Sequence, residues 1–456
     1  MFLEKIKSDG IAHLSYILGD GLEAVVIDPR RDCQIYIDIS AGEGTRITRI
    51  FETHRNEDYI SGSKDLARRT GATIHHGKAL DFTFGEAVSE NDSFEVGDLR
   101  LTILETPGHT FESISIVVTD TNFGDDAVAV FTGDALMIGD VGRTDFFPDR
   151  AKEVAGALYD SIFNKLLPLG DQTILYPSHG AGSVCGDSMA SREFSTIGYE
   201  RQNNPVLLKA DRDAFVEYKV NERHYLPSYF KKMEEYNQQG PPQLHFLPQP
   251  APMSAKAVHK AQQEGTLLLD LRSPEAYAGA FIPNSLAIPL KMLSAYAGYL
   301  IDYDTDLILI PENVEQIESA VQQLVRIGYD RLVGYLKGGM HAWEVSGLQY
   351  DQIGTVHAKK LVKRLQEKDE FTLLDVRKIN EYEQGRLTGA THIFLGELQG
   401  RIDQIDRNKP VVTFCGSGVR AIIAASILKR NGFENVEDSL GSMQACTSIG
   451  CPITKG

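Results

Sequence analysis

No apolar run in this chain approaches the roughly 20 residues needed to cross a bilayer as a helix. The first residues, Met1-Phe2-Leu3-Glu4-Lys5, lack the basic-then-apolar order of a secretory signal. Positive charge is short: 46 Lys and Arg stand against 63 Asp and Glu, a net charge of −17. An acidic surface repels nucleic acid and anionic membrane, so neither is expected as a partner. Cysteine is sparse as well. The five, at 33, 185, 415, 446 and 451, are odd in number and scattered. That excludes a disulfide framework and suits reactive thiols in a reducing compartment, so a cytoplasmic location is expected.

What is present is ordinary globular material. A length of 456 residues suggests roughly three domains at about 150 residues each. A hydrophobic content of 42% is enough for each to bury a core. Short β-branched and aliphatic runs, Ala24-Val25-Val26-Ile27, Leu101-Thr102-Ile103-Leu104 and Val128-Ala129-Val130-Phe131, read as buried strands within a first domain, 1–240. The Pro/Gln-rich stretch from Gln238 to Pro252 cannot continue a helix or a central strand, and 241–253 is expected to be an extended linker. Beyond it the chain repeats itself. Leu269-Asp270-Leu271-Arg272 recurs as Leu374-Asp375-Val376-Arg377, and Gly339-Met340-His341-Ala342-Trp343 as Ser442-Met443-Gln444-Ala445-Cys446. The offset is about 105 residues early and about 103 late, which defines two similar modules, 254–351 and 352–456. Strand-then-helix patterns such as Val411-Val412-Thr413-Phe414 followed by Ala421–Leu428 make both α/β.

Potential metal ligands are spread over the first domain. Thr53-His54-Arg55-Asn56-Glu57-Asp58-Tyr59, Thr106-Pro107-Gly108-His109 and Phe131-Thr132-Gly133-Asp134 each follow or border a strand-like run. Two imidazoles and one carboxylate, His54, His109 and Asp134, with positions left open, form the facial triad that suits non-haem Fe(II) and O₂ chemistry. Further on come Gly142-Arg143-Thr144-Asp145-Phe146 and Tyr176-Pro177-Ser178-His179-Gly180.

In order and spacing these motifs resemble the persulfide dioxygenase branch of the metallo-β-lactamase fold. A dinuclear hydrolase of that superfamily carries His-x-His-x-Asp-His in the first motif. Here Asn56 and Tyr59 replace the second and third histidines. The resemblance implies an αββα sandwich, one Fe(II) per chain held by His54, His109 and Asp134, and Arg143 anchoring a carboxylate of the thiol carrier. Asp58 and His179 would have served a second metal and are expected to hydrogen-bond beside the first. His75 and His76 are adjacent, point in different directions in any regular element, and are expected to be structural.

A second reactive centre sits in the last module. Cys415-Gly416-Ser417-Gly418-Val419-Arg420 joins a strand to a helix, so backbone N–H groups and the helix N-terminus form an anion cradle that can hold a thiolate or its persulfide. Four residues separate Cys415 from Arg420, as in rhodaneses, whereas phosphatases of related fold use five. Both modules look like rhodanese domains, but the first has Pro311 where a nucleophile would stand and is expected to be inactive. Cys185 follows His179 by six residues. Two readings are open for it: a sulfur relay contacting substrate at the iron mouth, or a buried structural thiol. Cys446 and Cys451 are expected to be structural rather than a peripheral redox pair.

The whole chain therefore resembles a fusion of a persulfide dioxygenase with two rhodanese domains, the first degenerate: α/β throughout, a sandwich followed by two smaller α/β domains. The activity so implied is oxidation of a low-molecular-weight thiol persulfide by O₂ to sulfite and thiol. Cys415 and Arg420 would then move sulfane sulfur between persulfide, sulfite and thiosulfate. A homodimer or tetramer is compatible with this. Two rivals are a zinc thioester hydrolase of the glyoxalase II type and a non-catalytic persulfide sensor.

Overall fold

The computed structural model describes residues 1–8, 10–182, 189–209 and 211–455. They form two compact units, 1–247 with 325–328, and 248–324 with 329–456. No helix among the described residues is long and apolar enough to cross a membrane.

In the first unit two six-stranded sheets lie face to face. One runs Phe2–Ser8, His13–Asp20, Glu23–Ile27, Arg46–Glu52, Thr73–Gly77, Glu86–Val88 in spatial order. The other runs Ser195–Thr196, Ile174–Pro177, Ala127–Gly133, Ile114–Asp120, Leu99–Glu105, Ser93–Val96. Strand side chains alternate between faces, and the inward set from both sheets makes one shared core. Tyr16, Val25, Ile27 and Phe51 of the first sheet meet Leu101, Ile103, Ile116, Val118 and Phe131 of the second. The opposite faces are also apolar and are covered. Helices Gln34–Gly42 and Ser63–Thr70 lie over Val26, Ile47 and Ile50, whereas Ala151–Ser161 and Arg212–Val220 lie over Val117, Val130 and Leu175. Four layers result, an αββα sandwich as expected. His75 and His76 occupy the strand Thr73–Gly77, where His76 Nε2 is 2.9 Å from the Phe84 carbonyl and His75 packs against Phe51 and Phe94.

The second unit contains two five-stranded sheets with the same order. Ala251–Met253, Leu332–Leu336, Leu307–Ile310, Leu267–Asp270, Leu286–Ala287 in one correspond to Gly354–Thr355, Val436–Asp438, Val411–Phe414, Thr372–Asp375, Thr391–His392 in the other. The end of the Pro/Gln-rich stretch is thus not free linker. Ala251–Met253 is an edge strand parallel to Leu332–Leu336, the place in a sheet where Pro252 is tolerated because its missing N–H is not needed. The repeat is equally exact in its polar interior. Arg272 clasps Asp270 and donates to the carbonyls of Ala276 and Ala280, while Arg377 clasps Asp375 and donates to Glu381 and Gly385. Trp343 and Cys446 fill corresponding places in the two cores, so Cys446 replaces a core ring. It and Cys451 are free thiols, and burial pushes the Cys446 thiol up to about 12.

Candidate metal centre and sulfur-transfer loop

Each triad residue follows a strand end, and a different polar group holds each one. Asp28 ends the strand Glu23–Ile27 with φ at +51°, and its carboxylate accepts from the Thr53 amide (2.7 Å), the Thr53 hydroxyl (2.8 Å) and Ser178 Oγ (2.5 Å). Thr53 Oγ1, its proton directed at Asp28, lies 2.9 Å from His54 Nδ1 and accepts from it. His109 Nδ1 donates to the Arg143 carbonyl at 3.0 Å. Fixing Nδ1–H on both rings turns their Nε2 lone pairs toward one another's neighbourhood. Gly133 has φ +54°, and a Cβ there would stand 2.7 Å from Thr53 Oγ1. Glycine is therefore required beside Asp134.

Asp134 Oδ2 lies 3.9 Å from His54 Nε2 and 3.6 Å from His109 Nε2. The three donor atoms fall within 4.8 Å of one another, and among the described residues no other set of His, Cys, Asp or Glu side chains does so. His179 Nδ1 holds Asp134 at 2.8 and 2.9 Å, and its Nε2 is 3.1 Å from Asp58. Burial opposes charge on both, yet the pairing keeps Asp134 well below the usual carboxylate range. The Asp134 and Asp58 carboxylates hold His179 well above the usual imidazole value. Asp58 and His179 thus buttress the triad. Asn56 turns its amide onto the His54 carbonyl (3.3 Å), and Tyr59 stacks on His13 at 3.9 Å. Neither substitutes for an imidazole.

The donor set passes a simple test of fit. His54 Nε2 and His109 Nε2 are buried and have no hydrogen-bond partner among the described residues, an arrangement that costs free energy unless something fills the space between them. Two imidazole nitrogens and one carboxylate suit a divalent first-row ion.

Arg143 departs from expectation. Its side chain is 1% exposed, pairs with both oxygens of Asp145 at 2.7 Å, and lies over the rings of Phe146 and Phe230. A guanidinium already engaged by a neighbouring carboxylate is a strut of the loop whose carbonyl orients His109, not an open anchor for substrate. Sequence shows both Arg143 and Asp145 but not that they pair. Arg143→Ala is accordingly expected to destabilise the fold by about 1–3 kcal/mol, because it strands a half-buried carboxylate. Thermal melts check this, and Arg143→Lys should recover little, since an ammonium cannot reproduce the two-pronged contact.

Around Cys415 the expected loop is present. The strand Val411–Phe414 leads into Cys415, and the helix Val419–Arg430 starts after Gly418, whose φ is +99° and whose amide points at Cys415 Sγ from 3.1 Å. Cys415 is fully buried, and its own amide donates to Ser442 Oγ at 3.0 Å. Arg420 folds back onto Glu381 through two contacts of 2.6 Å. Glu381 was not legible as a site residue; its counterpart in the first module, fixed by the Arg272 and Arg377 contacts, is Ala276. Strand register places Pro311 opposite Cys415 in the repeat, since Asp270 pairs with Ile310 as Asp375 pairs with Phe414. A cavity of about 410 Å³ adjoins the loop, lined by Ser417 and Val419 and, from the first module, by Ser273, Lys291 and Glu312. Cys185 lies outside the described residues.

Residues 9–179 match the metallo-beta-lactamase superfamily, and 254–346 and 358–448 each match the rhodanese-like domain. Persulfide dioxygenase ETHE1, mitochondrial, of Bos taurus is 31% identical over 205 residues, covering 42% of this chain and 70% of the relative. A hydroxyacylglutathione hydrolase of Nitrosococcus oceani is 31% identical over 163 residues, 34% of this chain and 57% of that one. Among solved structures, the metallo-beta-lactamase from Staphylococcus aureus subsp. aureus COL superposes with a TM-score of 0.66 at 31% identity, covering 74% of this chain and 99% of that one. Fold and site together define a metallo-β-lactamase-type protein joined to rhodanese-like domains. More narrowly, the chain belongs to the persulfide dioxygenase family, in a form fused to two rhodanese-like domains of which the first lacks the loop cysteine.

Proposed function

We propose that the first unit binds one Fe(II) through His54, His109 and Asp134 and oxidises a low-molecular-weight thiol persulfide. In balance, RSSH, O₂ and H₂O give RSH, sulfite and two protons. The observation that carries this reading is the cluster of two buried Nε2 atoms, without hydrogen-bond partners among the described residues, and the Asp134 carboxylate, with Asn56 and Tyr59 where a second metal would need imidazoles. Iron bound there would supply O₂ activation and open positions for the persulfide sulfur. The protein's own part is preorganisation. Asp28 and Thr53 fix the His54 ring, the Arg143 carbonyl fixes His109, and His179 holds Asp134 ionised. With every ligand fixed before substrate arrives, little reorganisation is left for the reaction.

Sulfite and persulfide are also the currency of the second unit. In the proposed coupling, the Cys415 thiolate attacks the outer sulfur of the thiol persulfide, whose S–S bond breaks to release the carrier thiol, and attack by sulfite on the outer sulfur of the Cys415 persulfide releases thiosulfate and returns the thiolate. The Gly418 amide, aimed at Sγ, stabilises the anion on either side of that step. The cavity lined by Ser273, Lys291 and Glu312 would receive the small acceptor.

The test is oxygen-electrode turnover of iron-loaded protein with a panel of persulfides, beside elemental analysis of protein purified without oxygen. One iron per chain and persulfide-dependent oxygen uptake are expected. Two zincs per chain with thioester hydrolysis would establish the hydrolase rival, and bound iron without oxygen uptake would establish a sensor.

A further inference from the structure

Pro311 deprives the first rhodanese-like module of a nucleophile, yet that module packs closely on the reacting half of the same compact unit. The helix Val419–Arg430, which starts at the Cys415 loop, carries a buried serine, Ser426, whose Oγ accepts from the Ala287 amide of the first module at 3.1 Å. A first-module helix, Leu293–Leu300, turns one face to the second module as well. Tyr296 and Tyr299 share that face, with ring centroids 6.1 Å apart. Tyr299 meets the Phe394 ring edge-on at 5.7 Å and closes over Gly396, where a Cβ would stand 2.6 Å from it. The Tyr329 hydroxyl donates to the Ile301 carbonyl at 2.6 Å and fixes the end of the helix.

Tyr296 is 7% exposed, and its phenol stands against the Arg420 guanidinium. Burial pushes the phenol up to about 12, against the pull of Arg420, which favours the phenolate by charge and by hydrogen bonding. It therefore keeps its proton at neutral pH, while its oxygen accepts from the guanidinium. Glu381 takes the same guanidinium through two contacts of 2.6 Å, and Arg420 Nη2 lies 3.0 Å from where a Cβ on Gly416 would stand. The cation is thus held against the Cys415 loop between a second-module carboxylate and a first-module phenol. We propose that Tyr296 is a positioning residue of the sulfur-transfer site, a group lent by the inactive module that holds Arg420 where an anionic sulfur donor enters. A guanidinium fixed from two sides is ordered before the anion arrives, so less freedom is lost on binding. This rests on the sulfur-transfer reading above and not on the metal centre.

Tyr296→Phe removes one oxygen and keeps the ring, so it separates positioning from packing. Full-length wild type, Tyr296→Phe, Arg420→Lys and the double variant would be assayed with thiosulfate as sulfur donor and cyanide as acceptor, a reaction that yields sulfite and thiocyanate. Tyr296→Phe is expected to raise the KM for thiosulfate about 10-fold with kcat little changed, the weight of one hydrogen bond to a charged group. In the Arg420→Lys background, whose ammonium cannot hold Glu381 and Tyr296 at once, the same substitution should change KM by less than about twofold. A purely structural tyrosine would lower the melting temperature equally in both backgrounds and leave KM alone. An unchanged KM in Tyr296→Phe overturns the proposal. So does a 10-fold effect repeated in full in the Arg420→Lys background, since Tyr296 would then not act through Arg420, and so does a fall in kcat alone accompanied by a lower melting temperature. A wild type that moves no sulfur from thiosulfate to cyanide defeats the sulfur-transfer reading and this assignment with it, a result distinct from failure of Tyr296 alone.

Discussion

His54→Ala, His109→Ala and Asp134→Ala are each expected to lose bound metal and, on the proposed function, persulfide-dependent oxygen uptake together. A centre with three mutually close donors has no spare, so removing one leaves a two-point site. The loss of affinity should exceed the roughly 10–100-fold that supporting groups command. The surrounding structure sharpens the expectation for Asp134. His179 pairs with both Asp134 and Asp58, and without the Asp134 carboxylate it faces the site with one partner fewer. Asn56→Ala is the control: its Nδ2 donates to the His54 carbonyl, and metal is expected to remain bound without it. Elemental analysis and oxygen uptake on the same preparations decide the matter. Metal stripped from Asn56→Ala would make Asn56 a ligand and the assignment wrong.

Cys415→Ser is expected to abolish sulfur transfer while oxygen uptake with added persulfide continues. The two chemistries rest on residues in different compact units, and serine preserves the shape of the loop around the Gly418 amide. A hydroxyl cannot carry a persulfide at neutral pH. Wild-type turnover of persulfide should therefore yield some thiosulfate, and the variant should accumulate sulfite instead. Cys415 is fully buried, so a loss of packing is the competing explanation. It would show as a lower melting temperature accompanied by loss of both activities. Thiosulfate formed at the wild-type rate by Cys415→Ser would place sulfur transfer on another thiol, and Cys185 would be the first to replace.

Much of this was legible in the sequence because strands and ligands announce themselves locally. Apolar runs at 24–27, 101–104 and 128–131 became strands, and the ligands followed strand ends because a sheet edge is where the backbone can turn toward an ion. The repeat was readable because Asp270-Leu271-Arg272 and Asp375-Val376-Arg377 encode one buried clasp twice. What escaped depends on separation in the chain or on pairing. Asp28 reaches Thr53 and Ser178 across 25 and 150 residues, and no local pattern reveals that. Arg143 was visible as a cation but its saturation by Asp145 was not. Glu381 gained meaning only when Arg420 was seen to fold onto it. Pro252 argued for a linker because proline opposes pairing, yet an edge strand asks nothing of its missing N–H.

The clasp made by Asp28 has a consequence for the life of the chain before it is folded. His54 hangs from one sheet, His109 and Asp134 from the other, and Asp28 joins Thr53 beside the first to Ser178 beside the second. Neither half alone offers an ion a foothold, so loading should wait until the halves have met. A ferrous ion added to refolding protein would then report the moment of assembly, and a chelator present until then should cost nothing afterwards.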